Sequence, residues 1–217
     1  MSTETVKIEG SPRERLLAAA NELFYAHGVH SVGIDRVIDR AGVAKASLYS
    51  TFGSKEELVR AYLEGRGHRR RERILARIAQ HADPREKILS VYGLLAEIAA
   101  EPGFRGCAFV NASAEEPRDG VVREASARAR TWVRELFVGL ARDAGARDPA
   151  KLGRRLGLLY DAAIVSASMD RDPTAPNEAR TMAQLLLDLE LTSRSPGTRP
   201  SSRRPSRAAG ASSSRKH

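Results

Sequence analysis

Between Ile34 and Phe52 the chain encodes two short helices joined by a turn tight enough to fix their relative orientation. Ile34, Val37, Ile38 and Ala41 recur at i, i+3, i+4 and i+7, which places one apolar stripe on a helix, and Gly42 supplies the reversal that ends it. Val43-Ala44-Lys45-Ala46-Ser47-Leu48-Tyr49 reads as the second helix, and Ser50-Thr51-Phe52-Gly53-Ser54-Lys55 runs it into the capped start of another. In such a helix-turn-helix the first helix braces the second. The small and polar side chains of the second are then free to enter a groove about 12 Å wide, the width of the major groove of DNA.

Other helix starts are as legible. Ser11-Pro12-Arg13-Glu14 and Ser54-Lys55-Glu56-Glu57 read as capping boxes, and Asp83-Pro84, Asp148-Pro149 and Asp172-Pro173 as cap-and-proline starts. From Ser11, the residues Leu16, Ala20, Leu23, Phe24 and His27 line one face until Gly28. A fourth helix carries Leu58, Val59, Tyr62 and Leu63 inward and is expected to reach about Gln80 as a connector, although Gly65 and Gly67 weaken its middle. Ile88, Val91, Tyr92, Leu95 and Ile98 mark the next, which stops at Pro102-Gly103. Cys107 to Glu115 is short; a helix is favoured, with Cys107-Ala108-Phe109-Val110 extended as the alternative.

Ala125, Ala129, Trp132, Val133, Leu136, Phe137 and Leu140 form a long amphipathic helix that closes at Gly145. The one after it carries Leu152, Leu156, Leu159, Tyr160 and Ala163 on one side and Leu158, Ala162 and Val165 on another, with Gly153 and Gly157 allowing close approach. Met182, Leu185, Leu186 and Leu189 lie on the last helix, about Thr174 to Leu191. These two C-terminal helices are expected to pack against the same pair of a second subunit, making a homodimer with Leu156, Leu159, Ala163, Met182, Leu185, Leu186 and Leu189 at the interface. The fold class is therefore all-α with about nine helices: a three-helix unit at 11–53 continuing into a connecting helix at 54–80, a C-terminal helical domain at 84–191, and a basic, disordered tail at 192–217.

The formal charge of +9 points to nucleic acid less directly than it suggests. Residues 1–83 carry +3, residues 84–191 carry −1, and residues 192–217 carry +7, so most of the basicity is tail. DNA binding must be argued from the motif. No run of about 18 apolar residues exists to span a membrane, and Met1 to Gly10 lacks the apolar centre of a secretory signal, so a cytoplasmic location is expected. Cys107 is the only cysteine, which excludes an intrachain disulfide and a multi-thiolate zinc site. His27 and His30 straddle a helix end with no further ligand in sequence, and neither metal nor cofactor is expected.

Ala41 through Leu58, with its turn, helix, aromatic and capped Ser-Lys-Glu in order, resembles the DNA-binding domain of TetR-type (AcrR-like) transcriptional regulators, and the resemblance spans about Arg13 to Tyr62. It implies an all-helical homodimer with an N-terminal DNA-binding domain and a C-terminal domain that dimerises and binds a small-molecule effector. Phe104 to Ala112, with the run Arg105-Gly106-Cys107-Ala108-Phe109-Val110-Asn111-Ala112, looks like one subgroup of these regulators. By the same resemblance Lys45, Tyr49 and Lys55 contact phosphates of a double-stranded operator, while Ala46, Ser47 and Ser50 face base edges. Gly33 stands where the family usually caps its second helix with Thr or Ser, and its free N–H groups still suit a phosphate. Val43, Leu48 and Phe52 are assigned to the core instead.

Tyr92, Phe104, Cys107, Phe109, Trp132, Phe137 and Tyr160 are candidate walls of an effector pocket, each equally an ordinary core residue. Arg69, Arg70, Arg71 and Arg73 lie roughly 22 Å along the fourth helix from its DNA-proximal start and are expected to face water, pair with acids or pack between domains. The leading function is a repressor released from a palindromic operator by an effector. A constitutive regulator, a non-specific DNA-coating protein driven by the tail, and a helical enzyme using Cys107 are the alternatives; the last lacks a positioned base and the chain is not read as an enzyme.

Overall fold

The computed structural model describes residues 8–115 and 120–191, and over them the chain is entirely helical. The described elements are α1 (Pro12–His27), α2 (Ile34–Ala41), α3 (Lys45–Phe52), α4 (Lys55–Ile78), α5 (Pro84–Ala99), α6 (Ala108–Glu115), α7 (Val121–Asp143), α8 (Pro149–Met169) and α9 (Ala175–Leu191). The basic tail lies outside the described residues.

Capping residues set most of these starts. Ser11 Oγ accepts the Glu14 N–H at 3.3 Å while the Glu14 carboxylate accepts the Ser11 N–H at 2.8 Å, a complete capping box. The second expected box forms by half: Ser54 accepts the Glu57 N–H at 3.2 Å, but the Glu57 carboxylate turns to Arg60 at 3.2 Å. Asp83 and Asp148 cap α5 and α8 through the N–H groups of Arg85 and Lys151, both at 3.0 Å. Asp172 differs. Its carboxylate accepts the Thr174 N–H at 2.8 Å, so Pro173 sits in a turn and the helix begins later, at Ala175. Cys107 to Glu115 resolves in favour of helix from Ala108.

The 24 residues of α4 run unbroken through Gly65 and Gly67, a rod about 36 Å long. Each glycine forfeits about 1 kcal/mol of helix propensity, an amount that the burial of Leu58, Val59, Tyr62, Leu63 and Ile74 outweighs. Apolar burial divides the chain through helices rather than between them. One cluster joins α1, α2, α3 and the start of α4 to Ala108, Phe109 and Ala112 of α6 and to Val122, Ala125 and Ala129 of α7. The second gathers Ile74, the apolar face of α5, the rest of α7, and α8 with α9. Helices α4 and α7 each contribute to both clusters.

Two of the expected interface residues belong to this second core. Leu156 is fully buried and Ala163 nearly so, because that stripe of α8 packs on α5, α7 and α9 of its own chain. Leu159 and Leu186 are partly buried against the same cluster. The close approach foreseen at Gly153 is also internal: a Cβ there would lie 2.7 Å from the Val138 backbone nitrogen on α7. Gly157, one turn on, faces open space. What remains outward is Leu158, Ala162 and Met169 on α8 and Met182, Leu185 and Leu189 on α9, each set at helical spacing.

Candidate nucleic-acid interface and internal cavities

The angle between α2 and α3 is set by the expected turn at Gly42 together with contacts from α1 that the sequence pattern does not display. Gly42 takes the left-handed conformation at φ 60°, and its neighbour Val43 donates its N–H to the Ile38 carbonyl at 3.3 Å, which satisfies a helix-end acceptor. From α1, Arg15 donates to the Ala41 carbonyl at 2.9 Å and to the Gly42 carbonyl. Arg40 pairs with Glu22 at 2.8 Å, so α1 clamps α2 twice. The part-buried bond from Arg15 to the Ala41 carbonyl is charge-assisted, whereas the Arg40–Glu22 pair lies at the surface and is worth at most about 1 kcal/mol. Arg13 lies over the Phe52 ring, 5.6 Å from its centre, and fixes the far end of α3.

Held this way, α3 buries Leu48 completely and leaves Phe52 half-buried against the core, as is Val43 in the preceding turn. Lys45, Ala46, Tyr49 and Ser50 are exposed on the other side, with Ser47 half-buried between them. Tyr49 is 48% exposed, an unusual position for a large aromatic. Lys45 donates to Asp35 at 2.9 Å, and this hydrogen bond, followed by the Asp35 charge, raises its pKa above the ordinary lysine value. Ser50 and Thr51 hydroxyls donate back to the Ser47 carbonyl at 3.1 and 2.6 Å. Lys55 opens α4 and donates to the His30 carbonyl at 3.5 Å.

Gly33 and Ala44, which precede α2 and α3, provide no side-chain cap. Helices α1, α4, α5 and α8 all have one, and α7 shares the lack, starting after Gly120. Both helices of the motif thus present uncapped N–H groups at positive dipole ends beside Lys45 and Lys55, which suits a row of phosphates.

Two clefts open further along α4. The first, about 560 Å³, is walled by Tyr25 of α1, by Arg66, Arg69, Arg70 and Arg73 of α4, and by Phe104, Cys107 and Phe109 before and on α6. The second, about 830 Å³, lies between α6, α7 and α8. Arg70, Cys107, Phe109, Tyr160 and Ile164 line both, so they form a shared partition. Among the candidate walls, Phe104, Cys107, Phe109 and Tyr160 are here. Tyr92 and Phe137 are not: both are fully buried, their rings stack 5.8 Å apart, and the Tyr92 hydroxyl donates to the Leu156 carbonyl at 2.7 Å. Trp132 stands apart as well, under Arg71 at 5.0 Å. Burial pushes the Tyr160 phenol up to about 12 against the opposing charge of Arg70, so it stays a neutral donor.

The arginines of α4 do not simply face water. Arg73 and Arg77 pair with Glu101 and Glu97 of the α5 side at 2.6 and 2.5 Å. Arg66 stacks on Tyr25 at 3.7 Å, Arg70 lies over Phe109 at 5.0 Å and donates to the Ala129 carbonyl at 3.1 Å, and Arg69 donates to Asn21 at 2.7 Å. Burial, then the neighbouring Arg66 charge, lowers the Arg69 pKa below the free guanidinium value. The readable signal was spacing: 66, 69, 70 and 73 share one face of a helix. The clefts also touch the motif. Tyr25 donates to the Gly106 carbonyl at 3.0 Å and accepts the Arg105 N–H at 2.9 Å, and Glu115 at the end of α6 accepts the His30 N–H at 2.8 Å.

Among the described residues no three His, Cys, Asp or Glu side chains are placed to hold a metal, and no helix is long and apolar enough to cross a membrane.

An all-helical chain with this N-terminal motif is a DNA-binding regulator in architecture, and comparison with known proteins identifies which kind. Residues 16–62 match the bacterial regulatory proteins of the tetR family. A TetR-family transcriptional regulator from Streptomyces coelicolor superposes with a TM-score of 0.77 at 33% identity, covering 83% of this chain and 96% of that one. The chain belongs to the TetR family of transcriptional regulators. It is 50% identical over 52 residues to the transcriptional activator FasR of Mycolicibacterium smegmatis, a match spanning 24% of each protein, so the chain aligns with only about a quarter of that relative. The Bacillus subtilis regulator FadR, solved with stearoyl-CoA, shares the fold with a TM-score of 0.66 over 81% of this chain and 97% of that one, at 16% identity.

Proposed function

We propose that this chain acts in the cytoplasm as a homodimeric repressor that docks α3 of each copy into successive major grooves of a palindromic operator and is released by a small-molecule effector. The observation that carries it is the division of α3: Leu48 anchors one side while Lys45, Ala46, Ser47, Tyr49 and Ser50 are left outward beside uncapped helix ends. Ala and Ser permit close approach to base edges, and Lys45, Tyr49 and Lys55 reach phosphates. The outward stripes of α8 and α9 support the dimer, since Leu158, Met182, Leu185 and Leu189 are each more than half exposed. We also read the Arg105–Ala112 run as marking a subgroup in which α6 walls the cleft.

The effector reading is supported by the sharing of α4. That helix follows α3 directly, lines the first cleft with four arginines, and meets α6, whose Glu115 holds the turn after α1. A ligand that shifts α4 or α6 by a few ångströms changes the separation of two recognition helices that must match the roughly 34 Å repeat of DNA. Ligand and operator then oppose each other reciprocally. Selection of binding sites from random duplex DNA with the purified full chain tests the core of this reading. A palindrome with half-sites about one helical turn apart is expected. Enrichment of no sequence, or of isolated half-sites bound by a monomer, would overturn it.

A further inference from the structure

The acids near the first cleft are already committed. Glu22 is held by Arg40, Glu101 by Arg73, and Asp161, at the edge of the second cleft, by Arg130. Arg66, Arg69 and Arg70 have no ion pair among the described residues, and the Nε atoms of Arg66 and Arg70 are buried with no hydrogen-bond partner. Three like charges spaced i, i+3 and i+4 therefore share one cleft wall without a direct ion pair, Glu72 acting on Arg69 only through its charge. Arg66 and Arg70 are half-buried, and a partly desolvated cation without an ion pair carries a cost that methionine or leucine at the same positions would avoid. Asn21 and the two committed acids Glu22 and Glu101 also line the cleft, and the remaining side chains are largely aromatic and aliphatic, among them Tyr25, Phe104, Phe109, Tyr160, Leu95 and Ile98.

We propose that the first cleft binds an organic anion, its carboxylate, phosphate or sulfonate seated on Arg66, Arg69 and Arg70 and its apolar body against Tyr25, Phe104 and Phe109. This rests on the effector reading and assigns the chemical class of the effector. The planar forks of Arg66 and Arg70 are stacked on Tyr25 and Phe109, which orients their remaining N–H groups before any ligand arrives. Tyr160, neutral at the partition, adds a donor. The site is also placed to report its occupancy, because Tyr25 bonds the backbone at Arg105 and Gly106 just ahead of α6.

The test uses two fluorescent probes that differ by one charged group. 1-Anilinonaphthalene-8-sulfonate carries a sulfonate; N-phenyl-1-naphthylamine lacks it. The full-length protein is expected to bind the sulfonate at least ~10-fold more tightly than the neutral amine, and Arg66→Gln with Arg70→Gln is expected to erase that preference while changing the neutral probe less than ~2-fold. Arg69→Gln, at a residue that still reaches solvent, is the variant that keeps the proposal testable if the double change fails to fold, and it is expected to weaken the sulfonate alone by ~3-fold or more. Equal affinity for both probes in the parent, or equal loss of both in the variants, overturns the assignment. Displacement of the sulfonate by inorganic phosphate at its own concentration would overturn the need for an apolar body. Operator release is measured separately. Charge-dependent probe binding without any change in DNA affinity would leave the anion site standing and sink the effector switch.

Discussion

The corner formed by α2 and α3 and the face formed by α8 and α9 are both outward, yet they expose opposite chemistry. At the corner the large apolar residue Leu48 is inside, and what is left out is Lys45, Ala46, Tyr49 and Ser50. On the C-terminal face Ala179, Ala183 and Leu187 are inside, yet Met182, Leu185 and Leu189, equally apolar, are left out. Water tolerates the first arrangement indefinitely. The second pays in exposed apolar area of about 25 cal/mol per Å², which a second copy of the chain would recover. On the function proposed above, each surface has its own kind of partner: phosphates and base edges for one, a like apolar surface for the other.

The sharpest way to break this contrast is to make the C-terminal face resemble the corner. Leu185→Arg with Leu189→Arg is expected to yield a folded monomer in sedimentation, with operator affinity down by ~100-fold or more because both half-sites can no longer be engaged together. A dimer that survives both charges would show that the exposed stripe has another purpose. Next in size is Gly153→Ala, which leaves both surfaces untouched. Its Cβ would be driven into the Val138 backbone, at a cost of about 2 kcal/mol in urea unfolding, whereas Gly157→Ala, in open space, is expected to be neutral or slightly stabilising.

At the corner itself the effects are smaller and read on DNA. Lys45→Ala or Tyr49→Phe is expected to weaken binding by about 1–2 kcal/mol on every sequence, with Lys45→Ala also flattening the salt dependence, while Ser47 substitutions alter sequence preference instead. Equal affinities of Lys45→Ala and the parent at moderate salt would remove Lys45 from the interface. The smallest is Gly33→Ser. Its backbone already has the extended geometry of a cap and a Cβ meets nothing within 4 Å, so a gain of a few tenths of a kcal/mol in stability is expected, visible as a small rise in melting temperature.

The ease of reading differed between these regions for a physical reason. Ser11, Asp83 and Asp148 act on N–H groups two or three residues away, and Gly42 acts on its own φ, so local sequence suffices to place them. Glu57 departs from the expected box because a carboxylate at that position can return to its own cap or reach Arg60, and the choice depends on Arg60, which also holds Glu124 of α7. The stripes of α8 posed the same difficulty on a larger scale. Both sides are apolar, and periodicity cannot say which of them the chain itself will cover; that Leu156 and Ala163 went inward and Leu158 outward was decided by where α7 and α9 came to lie. The aromatic residues divided likewise, Tyr92 and Phe137 into the core and Phe104 and Phe109 onto the cleft.

The linear sequence alone determined the helices, the turn at Gly42, the family and the outward face of α3, because each rests on interactions spanning a few residues or on a pattern repeated along one helix. The clamp of Arg15 on α2, the split of the core through α4 and α7, and the stacking of Arg66 on Tyr25 and Arg70 on Phe109 without ion pairs were decided only by tertiary structure. Those depend on groups 26 or more residues apart meeting in space, and charge compensation can be judged only when every neighbour of a charge is known.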